Sequence, residues 1–216
     1  MWLARAGLDS RFDIAALTPH RSLSNGLKLH RSGDASYAEV QSFIQRVYGQ
    51  RYGAQIQHWA PQLVSWWIDG KISAAAGFRS ASAAPLFLEH YLPAPVEKCI
   101  VTQDTPALQR ADIVEVGHLA ANQAGAGRRL MLALGGYLAE QSVQWVVATA
   151  TEELRHLFER MGLAPQVLGQ ADPSCLSPAD QIAWGSYYEH HPMVLAGHVQ
   201  RSMHHLDAAR LSPVNV

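Results

Sequence analysis

Apolar positions recur at intervals of three and four through Val40, Phe43, Ile44 and Val47, which predicts one amphipathic helix over Tyr37–Tyr52. Asp34–Ser36 supply start chemistry and Gly53 a stop. Before it, Leu27–Arg31 has the look of a short strand. After it, the pattern changes period. Gln62–Ile68 and Lys71–Arg79 are two β-rich runs separated by Asp69-Gly70, a strong hairpin signal. Pro85–Glu97 is aromatic and interrupted by prolines, which predicts short helical turns. From residue 111 the pattern alternates: a buried strand over Ala111–Ala121, a helix over Arg128–Gln141, a strand over Gln144–Ala150, a helix over Glu152–Met161 closed by Gly162, and a strand over Leu163–Leu168. Ala171–Asp180 is expected to be a loop, Trp184–His191 an aromatic segment packed on the sheet, and Pro192–Gln200 the last strand. An antiparallel first half feeding a βαβ second half predicts an α/β (α+β) fold with a mixed, mostly antiparallel twisted sheet and helices on both faces.

This order gives one domain over residues 27–203, preceded by an arm at 1–26 and followed by an irregular tail at 204–216. The 216 residues are 48% apolar and 16% charged, enough to bury a sizeable core. The net charge of −1 gives no overall pull toward nucleic acid or an anionic membrane. No apolar run reaches the roughly 18 residues of a membrane span, so stable membrane insertion is not expected. The N-terminus lacks the apolar run and small-residue site of a secretory leader. The two cysteines, Cys99 and Cys175, have no ligand spacing, so a reducing cytoplasmic location is expected. Eleven histidines do not make a metal site: His190-His191 and His204-His205 are adjacent pairs whose side chains diverge, and no metal is expected.

The segment with the most chemistry is Val114–Leu130, VEVGHLAANQAGAGRRL. A strand ends, Asn122, Gln123, Ala124, Gly125, Ala126 and Gly127 turn the chain, and a helix begins at once with Arg128 and Arg129 at its head. Glycines allow close backbone approach, and the first-turn N–H groups of a helix point at an anion. The alternative is a tight turn with no ligand. A Walker loop is excluded because no Lys follows the glycines, and a dinucleotide fingerprint because Leu130 stands where its third Gly belongs. The N-x-x-G-x-G pattern resembles the donor-binding loop of GNAT acyltransferases, with Asn122 in place of the usual Gln or Arg.

Four blocks together resemble the thermostable hemolysin family, a GNAT-like group distantly similar to acyl-homoserine-lactone synthases. They are Phe87–Glu97, Ile113–Leu130, Trp145–Leu163 and Trp184–Gly197. The resemblance implies a GNAT-like fold and a coenzyme A or phosphopantetheine thioester as co-substrate, with no metal. Acyl transfer requires that the acceptor lose a proton, the carbonyl be polarised and the thiol be reprotonated. Glu115, in an apolar strand just before the donor loop, is the candidate general base, with a raised pKa expected from burial; the alternative is a structural pair with Arg79 or Arg110. By analogy with a strand bulge in similar enzymes, backbone N–H groups of Val116, Gly117, His118 and Leu119 would polarise the carbonyl. The family commonly has Asn at the position of His118, so His118 is given no family-wide role. Tyr187 and Tyr188 are candidate general acids. Thr149 and Thr151 end the strand that, in a GNAT-like arrangement, splays to admit pantetheine. Trp67, Phe78, Phe87, Glu89, His90, Tyr91 and Glu97 are assigned to the acceptor or the acyl chain. The function expected is transfer of an acyl group from acyl-CoA or acyl-carrier protein to the amine or hydroxyl of a small acceptor such as an amino acid or amine. The alternatives are a homoserine-lactone-type signal synthase and a non-enzymatic membrane-active hemolysin.

Overall fold

The computed structural model describes residues 26–102 and 107–211, those past 208 by backbone alone. Apart from Gly26, the N-terminal arm expected over residues 1–26 therefore lies outside the described residues.

Seven strands form one sheet in the order β1-β2-β3-β4-β5-β7-β6. The strands are β1 (Gly26–Arg31), β2 (Gln62–Ile68), β3 (Lys71–Ser80), β4 (Ile113–Ala121), β5 (Trp145–Ala150), β6 (Gln166–Gln170) and β7 (Met193–His198). All pairings are antiparallel except β4 with β5. The turn between β2 and β3 takes positive φ at Asp69 (49°) and Gly70 (72°), the primed geometry that matches strand twist.

The helices are α1 (Tyr37–Tyr52), α2 (Val96–Cys99), α3 (Ala126–Glu140), α4 (Glu152–Arg160), α5 (Pro178–Ala183) and α6 (Val199–Leu211), with 3-10 turns at Phe87–Tyr91 and Tyr187–His190 among the connections. The sheet carries a core on each face. On one, Phe78, Val114 and Ala76 pack against Leu130, Leu134 and Leu138 of α3. On the other, Leu63, Ala75 and Ala120 pack against Val40, Phe43 and Ile44 of α1, and Ile113, Val147 and Val194 pack against Leu86, Leu88 and Val96.

Two expectations are corrected here. The expected loop at Ala171–Asp180 contains a 3-10 turn at Pro173–Cys175 and the start of α5, whose Ser177 hydroxyl caps the Asp180 amide at 3.1 Å. The tail expected to be irregular after Met203 continues as helix α6 to Leu211. Its own amphipathic pattern is faint, and its packing on α3 and β7 is what orders it.

Candidate active site

β4 and β5 pair only over Ile113–Glu115 with Trp145–Val147. Beyond that, β4 follows β3 to Ala121 while β5 follows β7 to Ala150, so the two strands part and leave a wedge. Glu115 is the last paired residue, at the apex. Just past it β4 bulges: Gly117 faces Gly77 and Ala120 faces Ala75, so His118 and Leu119 together stand against Ala76 alone. His118 takes φ 54° to allow this. A bulge breaks the ladder and re-aims the backbone beside it. The glycines of the 122–127 turn then start α3 at the open end of the wedge. Gly125 is left-handed (φ 75°), and the first turn of α3 follows it directly. Those first amides have no intrahelical acceptor and carry the positive end of the helix dipole.

A cavity of about 880 Å³ fills the wedge and reaches both faces of the sheet. Its wall includes Glu115, Val116, Gly117, His118, Leu119, Gln123, Ala124, Gly125, Gly127, Arg128, Thr149, Thr151, Phe87, Tyr91, Tyr187 and Tyr188, all singled out from the sequence. Asn122, Ala126 and Arg129 lie in or beside the same turn but not on the wall: the Asn122 amide donates to the Ser73 carbonyl at 3.1 Å, and Ala126 is buried in the α3 core.

Glu115 is 8% exposed. Its carboxylate accepts from the Leu88 amide at 3.0 Å and the Phe87 amide at 3.2 Å, and Arg79 Nε stands 3.3 Å away. Burial pushes its pKa up; the Arg79 charge and the two amides act the other way without cancelling the rise. The pairing with Arg79 and the raised pKa therefore coexist. Burial also lowers the His118 imidazole to about 4, with the Arg79 charge adding to the effect, so it is neutral at ordinary pH. Its ring lies 5.5 Å from Trp59 and 6.5 Å from Tyr48, and among the described residues its buried Nδ1 has no partner.

The tyrosines separate into two situations. The Tyr187 hydroxyl donates to the Thr149 carbonyl at 3.2 Å, and its buried ring stacks on Tyr48, so it fastens the aromatic segment to β5 where β4 has left it. Tyr188 shares a hydrogen bond with the Tyr91 hydroxyl at 2.5 Å, and burial pushes its phenol up to about 12. Both phenols hold their protons at neutral pH.

Five residues expected at the acceptor or acyl chain lie elsewhere. Glu89 accepts from the amides of Leu86 (2.7 Å) and Val96 (2.9 Å) and takes both terminal nitrogens of Arg110, at 2.6 and 3.1 Å. Glu97 accepts from Arg110 at 2.7 Å. The pair thus clamps the Leu86–Ile100 segment onto β4 rather than facing the cavity. His90 is exposed, with Nδ1 donating to the Phe87 carbonyl at 2.7 Å. Phe78 is fully buried against Tyr137 beneath α3, where the helix covers it and keeps it off the cavity wall. Trp67 donates to Ser65 Oγ at 2.7 Å and lies under the Lys28 ammonium. Among the described residues no group of His, Cys, Asp and Glu converges as a metal site, and no helix is long and apolar enough to cross a membrane.

The model of the family described as Thermostable hemolysin matches residues 30–203. The chain belongs to that family. No curated protein matches. Among solved structures, the sheet and helices resemble apo TofI (TM-score 0.57, 16% identity, 84% of this chain and 96% of that one). They also resemble the AHL synthase LasI (0.54, 14%, 84% and 95%) and BjaI, a CoA-dependent acyl-homoserine lactone synthase solved with SAM and isopentyl-CoA (0.59, 11%, 88% and 91%). At these identities the likeness is one of fold: the mixed, mostly antiparallel sheet with helices on both faces that the sequence predicts.

The sequence reading missed Tyr48, Tyr52 and Trp184 on the aromatic side of the cavity, and the aliphatic residues of α4 and α6 on the other. The helical spacing of Tyr48 and Tyr52 was the one available signal, and it reads equally as core. At the rim, Arg51 of the last turn of α1 pairs with Glu153 in the first turn of α4.

Proposed function

We propose that this protein is an acyltransferase that moves an acyl group from a coenzyme A or carrier-protein thioester to the amine or hydroxyl of a small acceptor. The observation that carries the reading is the β4–β5 wedge, which has a glycine-led helix start at its open end, a bulged strand on one wall and a buried carboxylate at its apex. A diphosphate or phosphopantetheine fits the α3 amides near Gly125–Arg128, and the narrow pantetheine arm fits between the strands. Fold neighbours that act with CoA support this, BjaI with isopentyl-CoA being one.

In this reading the acceptor enters from the aromatic side, by Tyr48, Trp184 and Tyr188. Glu115 takes a proton from the acceptor nitrogen or oxygen as that atom attacks the thioester carbonyl. Backbone amides at the bulge, Gly117–Leu119, stabilise the oxyanion. The carbon–sulfur bond breaks, and Tyr188 returns a proton to the departing sulfur. Calorimetric titration with CoA, followed by thiol-release assays over amine and hydroxyl acceptors, tests the proposal. If wild-type protein binds neither CoA nor an acyl-CoA, the proposal fails.

A second reading, a homoserine-lactone-type signal synthase, is favoured by the identity of the fold neighbours. It requires S-adenosylmethionine to act as acceptor, and a thiol-release assay with and without it separates the two. A membrane-active hemolysin, the reading the family description raises, requires vesicle leakage by the protein with no thioester present.

A further inference from the structure

The cavity has a second side that the chemistry above leaves unused. On the α3 face of the sheet the wedge opens onto Leu134 of α3, Leu157 of α4, Met161, Leu195 of β7, and Met203 and Leu206 of α6. These side chains are alkyl or thioether. Arg160, Arg201, Ser202 and His205 also line this side, and Arg160, Arg201 and His205 are exposed to solvent. The apolar stretch between them and the sheet suits an apolar guest.

What closes this arm is helix α6. It leaves the sheet where the Val199 amide donates to the Gln144 carbonyl at 2.8 Å, at the start of β5. It then crosses from α3 to the end of α4, and it is seated at each on a glycine. Met203 Sδ lies 3.0 Å from where a Cβ on Gly135 would stand, and the His205 imidazole occupies the space a Cβ on Gly162 would need. Glycine in mid-helix costs about 1 kcal/mol relative to alanine. Close approach of Met203 gives Gly135 a structural reason. α6 is thus held as a wall across the α3–α4 groove, with Met203 and Leu206 turned to the cavity.

We infer that α6 is a chain-length stop. The aliphatic arm receives the fatty acyl chain of the thioester donor, and Met203 and Leu206 set the longest chain it accepts. This rests on the acyltransferase reading, because the arm is continuous with the wedge where the thioester would lie. The thioethers of Met161 and Met203 suit a flexible alkyl guest, since Met fills irregular gaps.

The test is a series of Kd values, by calorimetry, for CoA and its butanoyl, hexanoyl, octanoyl, decanoyl and dodecanoyl thioesters with the full chain. Affinity is expected to rise about fourfold per buried methylene, equivalent to about 0.8 kcal/mol, and then level off where the chain meets α6. Met203→Ala should move that plateau to longer chains and Met203→Phe to shorter ones. Opposite shifts from one position cannot come from loss of folding. If CoA binds but affinity is flat across the series, or if both variants keep the wild-type plateau, the inference is wrong and the acyltransferase reading stands. If neither CoA nor any of its thioesters binds, both fall together.

Discussion

Arg79 of β3 stands directly opposite Glu115 of β4 in the sheet register, with its Nε 3.3 Å from the carboxylate at the apex of the wedge. A buried carboxylate facing a guanidinium is held between two opposing influences: burial favours the proton, the neighbouring charge removes it. Here burial prevails, so the base form of Glu115 is reached at a pH above the ordinary carboxylate value.

That balance predicts a pH effect with a definite sign. Activity that depends on ionised Glu115 is present above its pKa and lost as pH falls through it. In Arg79→Gln the opposing charge is gone, the carboxyl pKa rises further, and the acid limb of kcat/KM should move to higher pH. A limb that stays in place or moves to lower pH shows that another group titrates there.

Glu115→Gln should lower kcat about 10²-fold or more with donor affinity retained, and the acid limb should disappear. The same residue also accepts the Phe87 and Leu88 amides. Full activity combined with a lowered melting temperature would assign Glu115 to holding the Leu86–Tyr91 turn instead.

Gly127→Val should weaken CoA binding at least tenfold, about 1.4 kcal/mol, with the fold intact. A Cβ there meets only the Ala121 Cβ, at 3.5 Å, an ordinary contact, so the protein itself has room. Gly125→Val is the less clean variant, because φ of 75° strains any other residue. Unchanged CoA affinity in folded Gly127→Val removes the donor loop from the proposal.

The two tyrosines should behave differently. Tyr187→Phe loses one hydrogen bond to the Thr149 carbonyl and should cost about 1 kcal/mol of stability. Tyr188→Phe loses its hydrogen bond with the Tyr91 hydroxyl, should cost a similar stability of about 1 kcal/mol, and is the variant that should lower kcat, about 10²-fold. Equal kinetic losses in both variants would indicate a shared packing role, and denaturant melts alongside the kinetics distinguish the cases.

Gly185→Ala should destabilise the protein by about 3 kcal/mol, a fall in melting temperature of about 6–12 °C. Its φ is 54°, and a Cβ would run into the Tyr52 backbone carbonyl, which cannot move aside as a side chain can. A variant melting within about 1 °C of wild type would show that the Trp184–Tyr188 segment is free to shift.

The local elements were determined by the sequence alone. Asp69-Gly70 specifies the β2–β3 hairpin through backbone preference, the repeat from Val40 to Val47 specifies α1, and Gly125 next to an apolar strand specifies the turn into α3. Each depends on neighbours within a few positions, so each is legible in a single chain. The same holds for the raised pKa of Glu115, which follows from an acid in an apolar strand. Tertiary structure decided what each polar group meets. Glu89 and Glu97 gave no sign in sequence that Arg110 would take both, since the ion pairs close over spans of 21 and 13 residues. Phe78 and Phe87 look alike in sequence, yet one is covered by α3 and the other lines the open wedge. Helix α6 has almost no amphipathic signal of its own. Its order, and with it the floor of the cavity, comes from glycine seats on α3 and beyond α4 that lie 68 and 43 residues earlier in the chain for Met203 and His205. Periodicity reports which face of an element is buried; which element covers that face is fixed only when distant segments pack.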